Sequence, residues 1–99
     1  MGISTYEKKA AYVAQLHSIL DVSDYFDSLD YARDYLGGDE YIRIRNTVGD
    51  TFYINVTGNS ESAILLEVAR FLNGIRPVGY VTDREARWRV SKLFRKAVQ

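Results

Sequence analysis

Four aspartates, Asp24, Asp27, Asp30 and Asp34, recur every three or four residues, and near the other end a lone tryptophan, Trp88, keeps the same interval with Arg84, Lys92 and Arg95. On a helix that spacing puts each set on one side. Carboxylates gathered on one face attract a basic partner, or in the limit take the place of nucleic-acid phosphates in a protein groove. An indole among cations offers a rigid apolar face for a protein partner or a platform on which an unpaired base stacks. Residues 21–40 hold seven acids and one arginine, while residues 84–96 hold six basic residues and one acid, so a chain with 13 Lys and Arg against 13 Asp and Glu is neutral only on average.

Catalytic chemistry has fewer footholds. His17, the only histidine, falls on the apolar arc of an expected first helix with no serine or acid at a spacing that would orient it, which favours a half-buried structural role. The absence of cysteine excludes disulfides, thiolate nucleophiles and Cys-based metal sites. Calcium loops crowd oxygen ligands at alternate positions around a glycine, whereas these aspartates are spaced more widely. Gly37-Gly38 follows an expected helix instead of a strand, so no phosphate-binding glycine loop is formed, and Gly58-Asn59-Ser60 offers only the amides of an ordinary helix start. The reading is no enzyme, no cofactor, no metal and no indicated small-molecule substrate.

Both charged faces depend on the elements that carry them. Ninety-nine residues with 46% hydrophobic content suit one α+β domain over 1–99. Ser4-Thr-Tyr-Glu7 has capping-box spacing and opens a helix to about Leu20, with Tyr6, Ala10, Val13, Leu16 and Leu20 on one side. A break near 21–23 precedes a second helix over 23–36, carrying Val22, Tyr25, Phe26, Leu29, Ala32 and Leu36 on one arc, with Tyr31 and Tyr35 among the acids opposite. A break at Ser28 would leave that helix shorter. Residues 41–45 and 51–56 alternate with a period of two across a turn at 47–50, which predicts a hairpin with Ile42, Ile44, Phe52, Ile54 and Val56 facing inward.

A helix from Ser60 to Asn73-Gly74 follows, then a connection stiffened by Pro77 and a short third strand at 78–81. Thr82-Asp-Arg-Glu85 is a second capping-box pattern, opening a last helix whose core side holds Ala86, Val90, Leu93, Phe94 and Ala97. The expected order is α-α-β-β-α-(β)-α, with helices covering one face of a small antiparallel sheet.

Residues 41–56, followed by Gly58-Asn-Ser-Glu-Ser-Ala and the helix ending in Asn73-Gly74, resemble the hairpin and helix core of small accessory proteins encoded by bacterial phages and prophages. Some of these are anti-CRISPR inhibitors that occupy the DNA-binding surface of a nuclease. The resemblance implies a small non-enzymatic regulator, and it assigns no catalytic residue. It departs from such inhibitors in the placement of acids, since Glu61 and Glu67 are the only acids between Thr51 and Arg70.

Two functions remain open. One is a cytoplasmic regulatory protein acting through protein contacts or self-association, with Asp24, Asp27, Asp30, Tyr31, Asp34, Tyr35 and Trp88 at its surfaces. Such a protein could inhibit a nucleic-acid-binding host protein. The other is nucleic-acid binding through Arg43, Arg45, Arg84, Trp88, Lys92 and Arg95. Both require Trp88 to be exposed, and indole packed beneath the first helix would serve neither. No run is long and apolar enough to suggest a membrane partner.

Overall fold

The computed structural model describes residues 5–20, 24–34 and 36–98, and of residues 19, 20 and 95–98 the backbone alone. Helix α1 (Thr5–Leu20) forms with Val13 and Leu16 buried and Tyr6 half-buried as its spacing predicts, but Ala10 is exposed and Lys9 is buried in its stead. Ser4 of the expected capping box and the Leu20 side chain lie outside the described residues. His17 departs from expectation. It is exposed, and its Nε2 lies 3.2 Å from the Asp27 carbonyl oxygen.

The expected second helix does not exist. Strand β1 (Phe26–Arg33) takes its place and pairs antiparallel with β2 (Glu40–Asn46), which pairs antiparallel with β3 (Thr51–Asn55). A bulge explains why the segment reads as helical. Phe26 faces Asn46 and Ser28 faces Arg45, so Asp27 is an extra residue that carries Phe26 and Leu29 to the same side of the strand at a spacing of three. Ala32, three residues further, falls on the opposite side. A helical arc in sequence is thus divided between two sheet faces. Asp and Ser weaken the segment as a helix, while Phe26 and Tyr31 suit a strand.

Gly38, at φ 76°, turns β1 into β2, where Asp34 accepts the Leu36 amide in an Asx-type turn. The next turn is the expected one: the side-chain oxygen of buried Asn46 accepts the amides of Val48 and Asp50. Helix α2 (Glu61–Leu72) begins where predicted, with Ser60 Oγ accepting the Ala63 amide, and ends at Gly74 with φ 77°. Residues 78–81 supply a single bridge, Ile54 to Tyr80, against the outer edge of β3. Thr82 caps the last helix without a side-chain hydrogen bond, so the second capping box is not formed.

The architecture is α+β in the order α-β-β-β-α-α, with sheet order β1-β2-β3. Helices cover both faces, not one. On the first face Leu29, Ile42, Ile44, Ile54 and Val56 pack with Val13 and Leu16 of α1 and Ile64 and Val68 of α2. On the second, Ala32, Tyr41 and Tyr53 pack under Val81, Val90 and Phe94. Tyr41 and Ile42 are adjacent, point to opposite sides and are both buried, which marks β2 as the covered centre of a three-layer arrangement.

The C-terminal helix over 83–98 comprises an α-turn (Asp83–Glu85), a π-helical segment (Ala86–Val90) and an α-helix (Ser91–Val98). The Ser91 amide donates to the Ala86 carbonyl, five residues back. No helix among the described residues is long and apolar enough to cross a membrane.

Candidate binding surface

The wide π turn lies over the Tyr41 end of the sheet, while Val90 and Phe94 anchor the helix to the second face. This leaves Trp88 turned outward and 73% exposed. Helix α1 lies against the other sheet face, so the indole is not packed beneath it. Beside Trp88 is a hollow of about 330 Å³, walled by Tyr41, Arg84, Glu85, Arg89 and Val90. Arg84, Arg87 and Lys92 are exposed around it. The basic stripe therefore exists, and Trp88 stands in it; the side chain of Arg95 lies outside the described residues.

Arg89 is the exception among these cations. Its guanidinium bonds both Asp34, at 3.3 Å, and Asp39, joining the turn between β1 and β2 to the helix. The Gly37 and Leu36 amides hold the Asp34 carboxyl below the usual carboxylate range, and Arg89 adds to that effect. The Asp34 hydrogen bond in turn raises the Arg89 pKa. Burial pushes the Tyr41 phenol up, and the charge of Asp39 pushes it further.

The acidic face is dispersed. Asp24 lies exposed in a bend, and Asp27 is the exposed bulge residue. Asp30 is on the second sheet face and receives Arg43 at 2.6 Å, while Asp34 belongs to the Arg89 cluster. Tyr31 points to the first face, and Tyr35 lies outside the described residues. Four aspartates predicted on one helical side thus occupy separate environments, because a strand alternates its side chains and a turn intervenes. No group of three or more His, Asp or Glu among the described residues could hold a metal ion.

The nucleic-acid set also divides. Arg43 is engaged by Asp30, and its guanidinium carbon lies 5.0 Å from the Phe94 ring centroid, so it is an internal cation. Arg45 is exposed on the same sheet face, two residues farther along β2. Trp88 adjoins Tyr41 at the other end of that strand. Arg84, Trp88 and Lys92 remain together at the surface.

Set against known proteins, the chain matches no family model, no curated protein and no solved structure.

Two features escape the sequence reading. The first is a buried ion pair between α1 and β2: Lys9 Nζ lies 2.8 Å from Glu40 Oε1, with side-chain exposures of 9% and 3%. Tyr31 donates to the same oxygen at 2.7 Å, and the Gly58 amide donates to Glu40 Oε2 at 3.0 Å. Burial pushes the Glu40 carboxyl up, but Lys9, Gly58 and Tyr31 together outweigh it and hold it below the ordinary value. Burial first, and then the Glu40 hydrogen bond, raise the Tyr31 phenol far above its own. With every Glu40 oxygen satisfied, the cluster is built as a joint between elements.

The second feature is a groove of about 720 Å³ on the α2 side, walled by Tyr25 and Phe26, by Phe71 and Leu72, and by the loop at 74–80. Its aromatics come from segments far apart in sequence. The only available signal was the apolar run Ile75, Pro77, Val78 and Tyr80, which resembled a stiff connection.

Proposed function

We propose that this chain is a non-enzymatic protein-binding module whose contact face centres on Trp88. The supporting observation is the 73% exposed indole on the π-helical segment, set at the mouth of a hollow. Large exposed aromatics cost solvation until a partner covers them, and tryptophan is over-represented among residues that dominate binding energy. The surroundings are mixed in sign: Arg84, Arg87 and Lys92 are accompanied by Glu85, Asp34 and Asp39. An apolar anchor inside a rim of both charges suits a protein surface better than a polyphosphate backbone.

In the finer reading, the chain regulates a nucleic-acid-binding host protein in the cytoplasm, as the resemblance over 41–74 implies. Phosphate imitation contributes little to that reading, because Asp30 and Asp34 are paired with arginines. Trp88 carries it instead.

The test is capture from a host lysate with wild-type chain and Trp88→Ala, followed by titration of the purified partner on the single tryptophan. A partner retained by the wild type and lost with Trp88→Ala, with blue-shifted emission on binding, supports the reading. Nucleic-acid binding is the second reading, favoured by the exposed Arg84, Arg87 and Lys92. Salt-sensitive binding of single-stranded DNA or RNA, weakened by Trp88→Ala, would replace the first assignment with the second.

A further inference from the structure

We propose that the groove between the start of β1, the end of α2 and the loop at 74–80 binds a small molecule with a flat apolar body and a single negative charge. Its volume of about 720 Å³ lies within the range of small-molecule sites. The walls are aromatic: the Phe26 and Phe71 ring centroids are 5.6 Å apart, and Tyr25 meets Phe26 edge-on at 5.0 Å. Phe71 is backed by Phe52 at 5.0 Å, so the inner wall is continuous with the core. Tyr25 and Ile75, 55% and 56% exposed, form the rim.

Charge selects the class of ligand. Among the described residues Arg76 is the one charged residue of the lining, and no acid lines the groove. Its guanidinium carbon lies 5.2 Å from the Tyr80 ring centroid, and no carboxylate pairs with it among the described residues. A guanidinium beside an aromatic ring, with no carboxylate on it, keeps donors for a carboxylate or sulfonate. An apolar body between the rings with its anion at Arg76 satisfies both parts of the wall.

The wall is also preorganised. Ile75 donates its amide to the Arg70 carbonyl and Gly74 to that of Phe71, closing the end of α2. Buried Glu67 then accepts the amides of Val78, at 3.1 Å, and Gly79, at 2.8 Å, and Asn55 donates its amide to the Gly79 carbonyl. A loop fixed at both ends loses little freedom when a ligand enters. The groove is on the α2 side of the sheet and Trp88 is on the other, so this inference and the protein-binding reading fail independently.

Amide spectra of the ¹⁵N-labelled full chain during titration with 2-naphthoate and its neutral counterpart 2-naphthalenemethanol test the proposal. Expected are saturable shifts at Phe26, Phe71, Ile75 and Tyr80, with the acid bound roughly ten-fold more tightly than the alcohol. Arg76→Gln should abolish that preference, and Ile75→Glu, at an exposed position, should weaken the acid more than the alcohol. Both variants are first checked for an unchanged spectrum. The proposal is overturned by any of three results: no saturable shifts at millimolar naphthoate, shifts confined to another surface, or equal affinity for acid and alcohol in the wild type. An apolar peptide that shifts these amides where naphthoate does not would also overturn it.

Discussion

Replacing Glu40 by glutamine would leave the nearly enclosed Lys9 ammonium facing a neutral amide. Removing one partner of a buried pair costs about 3 kcal/mol, since the remaining charge keeps its desolvation penalty. Urea unfolding of Glu40→Gln should show a loss of that order, and a change below 1 kcal/mol would mean that water reaches Lys9. The same carboxylate governs acid sensitivity. The Glu40 and Asp34 carboxyls are both held low in the folded chain, so the unfolded chain binds protons first as the solution is acidified. Their stabilisation is therefore complete above about pH 5 and is lost as pH falls through the folded values. Melting temperature against pH should decline on that acid limb, less steeply in Glu40→Gln. At Trp88 the opposite balance holds, since an exposed ring contributes little packing. Trp88→Ala should alter stability by no more than about 0.5 kcal/mol, and wild-type emission should be that of wet indole, readily quenched by acrylamide. A larger loss, or protected emission, would assign the side chain a packing role.

Between elements, the edge of β3 is closed by hydrogen bonds from Asn55 to Gly79 and from Val81 to Tyr53. Gly79 permits this contact, because a Cβ there would run into the Asn55 carbonyl. Gly79→Ala should cost about 1–3 kcal/mol and speed amide exchange at Asn55 and Val81, since backbone yields less readily than a side-chain tip. Unchanged exchange would show that the loop shifts without strain. The elements differ in how plainly their residues announce them. α1 was legible from its apolar period, and the β2–β3 hairpin and α2 because turn or capping residues and apolar period agree in each. β1 was not, because the bulge at Asp27 turns a period of two into a spacing of three, and local periodicity cannot distinguish that from a helix. The core side of the last helix, Ala86, Val90, Leu93 and Phe94, was legible, whereas the π segment that carries Trp88 was not.

For the molecule as a whole, the loss of an acidic helix removes the charge pattern that would join one chain to another. Asp30 and Asp34 are neutralised within the chain, so light scattering should give 11.3 kDa at both low and high salt. A dimer that dissociates as salt rises would restore association between opposite charges. Sequence alone determined the α+β class and the hairpin with its inward isoleucines, since these follow from local period and capping, whereas packing of Val90 and Phe94 on the second sheet face decided that Trp88 points outward. Tertiary structure decided where the charges act. Alternation in β1 and the turn at Gly37-Gly38 disperse the aspartates, and the C-terminal helix covers the second sheet face, which the expected one-sided cover had left open. It also assembled the Lys9–Glu40–Tyr31 joint and the Phe26–Phe71 groove from distant segments. Such contacts arise only when strand pairing and layer packing bring those segments together, and no spacing within one segment encodes them.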